Sequence, residues 1–531
     1  VDASASALTI TNTATVAATQ TDPVPSNNTS STPVTVISAT AVSMLTTQAT
    51  QNGNAMELRW NTSSERNNLG FNVYRENGAA RVKVNPSLIA GSALIAGTGV
   101  PAGFSYGWTD RRPVSGATYW IESVDLNGTR KLHGPIVPRL ATQSLGRAIS
   151  SDSATPDSLT LSDLRSPLAG RGSAQRAIAA EAAPSSNAGN DITLARQFEL
   201  AGQAAAKILI AREGYYRVSR AQLAAAGFDP GSDPRTLSLY VDGQEIPIAV
   251  NDGGDGKWDA ADVLEFYAIG MDSTYSGTRT YWLINGNGNG LRFKAKGKVK
   301  GTASTAQSFT HTLERKERFI FFGAQAGAAD RDSFYGSVIY SDPTTQSFEV
   351  SNLAGAGSVV LAVAAQGATL TEHRVSVTLN GSPIGFIEFY GQQAGTSTFT
   401  LPLSAIHNGH NEVVLGATAS SFDVSFVDYL RLTYPHTYAA DDNALRFPAT
   451  GARETTVSGF SGGDVRVIDV TDPRAPEEVE SRVVAGTSGY SLVAIPQSQG
   501  ERILYATTVS AATAPASIAA NVPSSRPRVS A

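Results

Sequence analysis

The sharpest local signal for chemistry is the run Asn251-Asp252-Gly253-Gly254-Asp255-Gly256-Lys257-Trp258-Asp259-Ala260-Ala261-Asp262. With Asn251 at loop position 1, Asp255 falls at 5, Gly256 at 6, the Lys257 carbonyl at 7, Asp259 at 9 and Asp262 at 12. That is the register of an EF-hand-type calcium loop, in which six to eight hard oxygens surround the ion and glycine at 6 permits a sharp turn. Three departures stand against it: Asn replaces Asp at 1, Gly253 at 3 brings no side chain, and Asp replaces Glu at 12. The flanks also read as strands. The expectation is a structural Ca2+ site on Asn251, Asp255, Lys257, Asp259 and Asp262, and the competing reading is a solvated acidic hairpin loop.

The remaining candidates are weaker. The histidines are His133, His311, His373, His407, His410 and His436, and His407-Asn408-Gly409-His410 is the one close pair, on a turn with no carboxylate at ligand spacing. No Gly-x-Ser-x-Gly elbow appears. Gly286-Asn287-Gly288-Asn289-Gly290 lacks the following Lys-Ser/Thr of a phosphate loop and reads as a turn. Tyr335, Tyr340, Phe389 and Tyr390 are candidates for a sugar site, set against the commoner fate of strand aromatics as core. With no cysteine in 531 residues, disulfides, thiolate metal sites and a cysteine nucleophile are excluded from this chain. A net charge of −5 with no basic stripe excludes electrostatically driven nucleic-acid binding.

The elements that would position these groups are strands. Hydrophobic residues make up 41% and charged residues 16%, so real cores are available under a surface rich in Ser, Thr, Asn and Gly. The expected class is mainly β: tandem β-sandwich modules (partial Ig-like, fibronectin type III-like and jelly-roll-like) with one short helix near 219–227, capped by Ser219 and Gly227. Alternating runs such as Met56–Trp60, Phe71–Arg75 and Thr118–Val124, with turns at Asn127-Gly128, Asp242-Gly243 and Asn380-Gly381, carry that reading. The expected units are 1–38, terminal strands of an Ig-like repeat; 39–140, a fibronectin type III-like domain; and 141–195, an Ala/Ser-rich linker holding Arg165, Arg171 and Arg176 as candidate protease sites. Next come 196–304, a β-rich module with the acidic loop; 305–440, a jelly-roll-like sandwich; 441–510, a small β domain; and 511–531, an Ala/Pro/Ser tail. No apolar run is long enough to span a bilayer.

Several stretches carry resemblances. Asn12-Thr13-Ala14-Thr15-Val16, Asp22-Pro23 and Asn27-Asn28 resemble the closing strands of a repeated β-sandwich in bacterial surface proteins, so the chain is expected to begin within a longer product. LRWNTSSERNNLGFNVYRE and ATYWIESVDLNGTRKLHGPI resemble fibronectin type III-like modules of exported bacterial proteins. From about 196 to 510, the stretches GYYRV, LSLYVDG, DVLEFY and TYWL, then FTHTLERKERFIFFG, FVDYLRLTYPHTY and VRVIDVTDPRAPEEV, resemble the pre-catalytic region of gingipain-type cysteine peptidases and of the type IX secretion sortase. In that family the catalytic His and Cys lie in a downstream domain, so the resemblance implies an accessory, non-enzymatic role at the bacterial cell surface, with a peptidase domain expected beyond Ala531. Two other functions stay open: a self-assembling subunit of an extracellular fibre or surface layer built by strand donation, and a glycan-binding adhesin.

Overall fold

The computed structural model describes residues 9–15, 29–35, 42–95, 103–140, 157–165, 175–178, 190–229, 231, 233–273, 276–294, 301–323, 332–420 and 422–523. Arg171, Asp22-Pro23, Asn27-Asn28 and the last eight residues lie outside them. The chain is mainly β, as tandem sandwich-like units of antiparallel sheets.

In the first full unit, strands Arg130–Ile136, Thr118–Asp125, Asn68–Asn77 and Ala80–Lys83 form one sheet; Arg139–Leu140, Val42–Asn52, Ala55–Glu65 and Ser105–Asp110 form the other. Alternation sends Leu58 and Trp60 inward while Arg59 faces solvent. Trp60, Phe71, Tyr106 and Tyr119 fill the gap between sheets, with the Trp60 and Tyr106 rings stacked at 5.6 Å. Each such buried ring contributes on the order of 2 kcal/mol of hydrophobic stabilisation.

The second sandwich pairs Ser308–Arg315, Ser425–Thr437, Ser358–Gly367 and Ala394–Pro402 against Thr344–Val350, Gly409–Ala417, Glu372–Leu379 and Ser382–Tyr390. Phe348, Leu361, Val375, Ile387, Leu415 and Leu432 are among its core. Between the last two strands Asn380 and Gly381 both take positive φ (48° and 79°), the geometry of the tight hairpin turn that Asn-Gly favours. Asp242 and Gly243 do the same at 50° and 79°.

Between these sandwiches in sequence, Gln244–Ile246, Leu237–Val241, Arg279–Asn285 and Ala206–Ile210 make a sheet that faces the three strands Gly214–Ser219, Val263–Ala268 and Ala249–Asn251. The short helix is Arg220–Ala225. Ser219 caps it, its hydroxyl accepting from the Gln222 N–H while the Gln222 side chain accepts from the Ser219 N–H, a reciprocal capping box. Gly227, at φ 85°, follows the C-cap Ala226. The last unit pairs Ala444–Thr450, Glu501–Thr508 and Val465–Asp469 in one sheet and Arg453–Phe460, Gly489–Ile495 and Glu480–Gly486 in the other.

Ordered structure occurs in stretches that composition reads as linker or tail. Ser517–Ala520, read as tail, is a strand that pairs with Ala206–Ile210 and lays Ile518 on that core. A second helix, Asn190–Ala201, starts inside the stretch read as linker; it buries Leu200 and leaves Leu194 and Phe198 exposed, so its apolar stripe is faint. The strand Gln175–Ile178 joins the edge of the second sandwich beside Ser308–Arg315. There the Gln175 carboxamide donates to the Glu349 carbonyl at 3.0 Å and accepts from the Glu349 N–H at 2.8 Å, tying this edge to the opposite sheet.

Two seams fasten the second sandwich to its neighbours. In the first, residues 157–165 act as a wedge: the Ala90 N–H donates to the Leu159 carbonyl at 2.7 Å, the Leu161 N–H to the Leu88 carbonyl at 2.9 Å, and the Thr344 hydroxyl to the Arg165 carbonyl at 2.7 Å. Leu161 and Leu164 then share one buried cluster with Leu69 and Val124 of the first unit and Phe322, Tyr335 and Phe426 of the second. The other seam is ionic and is described below.

Candidate functional sites

The acidic loop closes the hairpin between Ala249–Asn251 and Val263–Ala268. Trp258 is buried in the core beneath it and fixes its base. Gly256 has φ 72°, the turn that the calcium register requires. The ligand shell is a different matter. Asp255 accepts from the Lys257 N–H at 2.9 Å, Asp259 from the Ala261 N–H at 3.2 Å, and Asn251 from the Gly253 N–H at 3.4 Å, each side chain capping its own turn two residues on. Asp262 is buried and accepts from the Asp259 N–H at 2.6 Å, while Asn251, Asp255, Lys257 and Asp259 are exposed. The side-chain oxygens expected to bind the ion thus serve the loop's own N–H groups, and the described residues contain no group of three or more His, Cys, Asp or Glu placed to hold a metal. The spacing that matches a calcium loop matches a chain of self-capped Asx turns equally well.

The histidines are taken up by their neighbours. His410 has a carboxylate at each ring nitrogen, Glu349 from a distant strand 2.7 Å from Nδ1 and the neighbouring Glu412 3.4 Å from Nε2, and both raise its pKa. His407 takes no part in this arrangement. His373 is fully buried, with Nδ1 2.6 Å from Asp423 and Nε2 3.0 Å from the Thr369 carbonyl, so neither nitrogen is left to serve a nucleophile. His311 and His436 sit with ring centroids 4.7 Å apart, and Asp441 holds His436 Nε2 at 3.0 Å. Burial, reinforced by His436, pushes His311 down to about 4. Ser123 lies 3.1 Å from His133 Nε2, but no carboxylate orients that ring among the described residues. The N–H groups of Gly286 and Gly290 donate to the Thr236 and Arg235 carbonyls, which leaves them unavailable to a phosphate.

No family model matches the chain, and no curated protein does. Solved structures do match. One is dimeric latent PorU from Porphyromonas gingivalis, 17% identical with a TM-score of 0.47, over 61% of this chain and 34% of that one. This chain thus spans about a third of the PorU chain's length. Another is the CBM36-1 domain of a multidomain xylanase from the hindgut metagenome of Trinervitermes trinervoides, at 14% identity and a TM-score of 0.17, over 25% of this chain and 89% of that one. A third is a family 35 carbohydrate binding module from Clostridium thermocellum, at 15% identity and a TM-score of 0.13, over 26% of this chain and 83% of that one. Likenesses at these scores carry no argument about activity or ligand.

The most developed polar assembly was not anticipated from sequence. At the second seam Lys316 Nζ lies 2.9 Å from Asp272, 2.8 Å from Asp332 and 3.9 Å from Asp428. Arg318 reaches Asp272 at 2.8 Å and donates to the Ser273 carbonyl at 2.6 Å. Arg176 joins Asp272 at 3.3 Å to the buried Glu314, which Arg431 also holds at 2.8 Å. Asp272 belongs to the unit before the second sandwich, whereas Lys316, Asp332 and Asp428 belong to the sandwich, so the network is the joint. Burial lifts Asp428 to about 6, outweighing Lys316. For Asp272 burial acts upward too, yet Lys316, Arg176 and Arg318 together hold its carboxyl below the usual range. A cleft of about 340 Å3 opens beside the joint, lined in part by Arg212, Tyr216 and Met271. Arg176 and Arg165, candidate cleavage sites in the sequence, are both engaged, Arg165 by Asp342 at 2.9 Å.

Of the four aromatics weighed for sugar binding, Tyr335 is 1% exposed and belongs to the apolar seam, Phe389 stacks on His373, and Tyr340 meets Ser162 at 3.0 Å. Tyr390 alone is largely exposed, at 60%.

Proposed function

We propose that this chain is a non-catalytic accessory region of a secreted, gingipain-like bacterial surface protein, a stiff β-platform that positions a partner domain. The observation that carries this reading is the pair of seams, one apolar and one ionic, that bind successive units together where a string of independent modules would show only tethers. The motif resemblance over residues 196–510 supports the family, and the commitment of the His373–Asp423 and His436–Asp441 pairs to structural contacts supports the non-catalytic role. The test is small-angle X-ray scattering with a peptidase assay on the purified chain. A single concentration-independent compact envelope with no peptide hydrolysis is expected; an envelope that only a freely jointed ensemble fits, or hydrolysis, overturns the reading.

A second reading, a self-assembling fibre subunit, draws on Thr9–Thr15 and Thr29–Thr35, which form a two-stranded sheet joined by no third strand among the described residues. A two-stranded ribbon is marginal by itself and can recruit a further strand. Electron micrographs separate the readings: particles support the platform, and filaments that vanish on Thr32→Pro support the subunit.

A further inference from the structure

The outer face of the second sandwich carries aromatic rings that its core does not use. On the antiparallel strands Glu372–Leu379 and Ser382–Tyr390, Val375, Val377 and Ile387 are buried in the core and Phe389 packs against it. Alternation then directs Glu372, Arg374, Ser376, Phe386, Glu388 and Tyr390 outward. The register sets Glu372 opposite Tyr390, Arg374 opposite Glu388 and Ser376 opposite Phe386, so these six form one patch. Tyr390 is 60% and Phe386 42% exposed, whereas Tyr335, Phe348 and Tyr434 of the same sandwich are buried. Four residues apart on one strand, the two outer rings stand about 13 Å apart.

Between the rings lies an ordered polar bridge. The Arg374 guanidinium sits over the Phe386 ring, 3.3 Å from its centroid, and its Nε donates to Glu388 at 2.8 Å. Ring, ion pair and ring thus follow one another along an open strand, with no continuous apolar patch. A protein surface laid here would strip water from the Arg374–Glu388 pair, a desolvation cost that Coulombic attraction offsets poorly. A nucleic acid would meet two carboxylates, Glu372 and Glu388, where phosphates seek cations. A polysaccharide suits both features: the C–H face of one sugar covers Tyr390 and another sugar meets the part of Phe386 that Arg374 leaves exposed, while its hydroxyls donate to the glutamates and accept from the arginine. The linear layout asks for a linear chain several sugar units long.

We infer that the outer face of strands Glu372–Leu379 and Ser382–Tyr390 binds an uncharged, linear polysaccharide, stacking it on Tyr390 and resting it against the Arg374-covered Phe386 beyond the Arg374–Glu388 pair. This goes beyond the platform role and does not depend on it. The experiment is native electrophoresis of the purified chain through gels containing hydroxyethyl cellulose, β-1,3-glucan, β-mannan or soluble starch. Retardation by at least one polymer is expected. Tyr390→Ala is expected to weaken it tenfold or more, Phe386→Ala several-fold and Glu388→Gln about two-fold, with the melting curve unchanged. Leu45→Ala, at a 67% exposed site in another unit, is expected to have no effect. Migration unaffected by all four polymers, or retardation that survives the double variant Tyr390→Ala/Phe386→Ala, overturns the assignment. Concentration-dependent self-association abolished by Tyr390→Ala overturns it too, since the patch would then be a protein contact.

Discussion

The two seams of the second sandwich do one task with opposite chemistry. At the first, Leu161 and Leu164 enter a cluster of leucine, valine, phenylalanine and tyrosine, where contact depends on volume and hardly on direction. At the second, Lys316, Arg318 and Arg176 must each find their carboxylates at hydrogen-bond distance, and these groups are partly buried, Glu314 almost completely. The apolar seam supplies stability that degrades gradually when a methyl is lost. The ionic seam supplies orientation, and losing a cation leaves buried carboxylates short of a partner. A buried ion network is weak evidence for net stability, and its demand for matched partners at short range favours one arrangement of the joint.

The largest effect is expected from Lys316→Ala, which leaves Asp428 without a cation and Asp332 with only Arg318, 3.6 Å away. The expected cost is about 3–5 kcal/mol by urea unfolding, and a loss no greater than that of an exposed lysine sinks the distinction between the seams. Leu164→Ala is expected to cost about 2–4 kcal/mol, with the same value at pH 5 and pH 7, because no charge is involved. A smaller effect concerns pH. Asp428, raised to about 6, contributes stability present below its ordinary value of 3.8 and lost as pH rises through 6. Asp272, held low, contributes stability present above 3.8 and lost as pH falls further. Asp428→Asn is therefore expected to stabilise the chain at pH 7 relative to pH 4.5 when the two proteins' melting profiles are compared; an unaltered profile would remove the ionic seam's pH response. The smallest effect is expected of calcium. Since Asp255, Asp259 and Asp262 cap their own loop, millimolar Ca2+ is expected to leave the melting temperature unchanged, as in Asp255→Ala; a rise lost in that variant would show that the loop rearranges around the ion.

Local features were legible in the sequence. Asn380-Gly381, Asp242-Gly243 and the Ser219 cap are decided by residues within four positions of one another, and each takes the expected geometry. The ionic seam was not, because residues 176, 272, 316, 332 and 428 meet only after strands far apart in sequence pair. One trace of it was present: Asp428 interrupts the apolar strand Phe426-Val427-Asp428-Tyr429-Leu430, and a carboxylate there needs a partner. The glycan candidates divided for a related reason: Tyr390 is exposed, while Tyr335 is buried. Tyr335 lies on a two-residue strand too short to show alternation, while Phe386 and Tyr390 lie on a nine-residue strand whose outward parity was readable. In the calcium loop, oxygen-bearing residues at the right intervals did not reveal whether they point at one centre or at their own backbone.

The four-residue strand Gln175–Ile178 has a consequence for solubility. It occupies an outer edge of the second sandwich, and the Gln175 carboxamide spans to Glu349 on the facing sheet, so this corner is closed by the chain itself. An uncovered edge is a template on which another molecule can stack its own strand. The segment replaces the eight-residue edge of Ser308–Arg315 with one of only four residues, and a short edge offers another strand little to pair with. A chain lacking Gln175–Ile178 is expected to scatter light increasingly with time at concentrations where the intact chain stays clear.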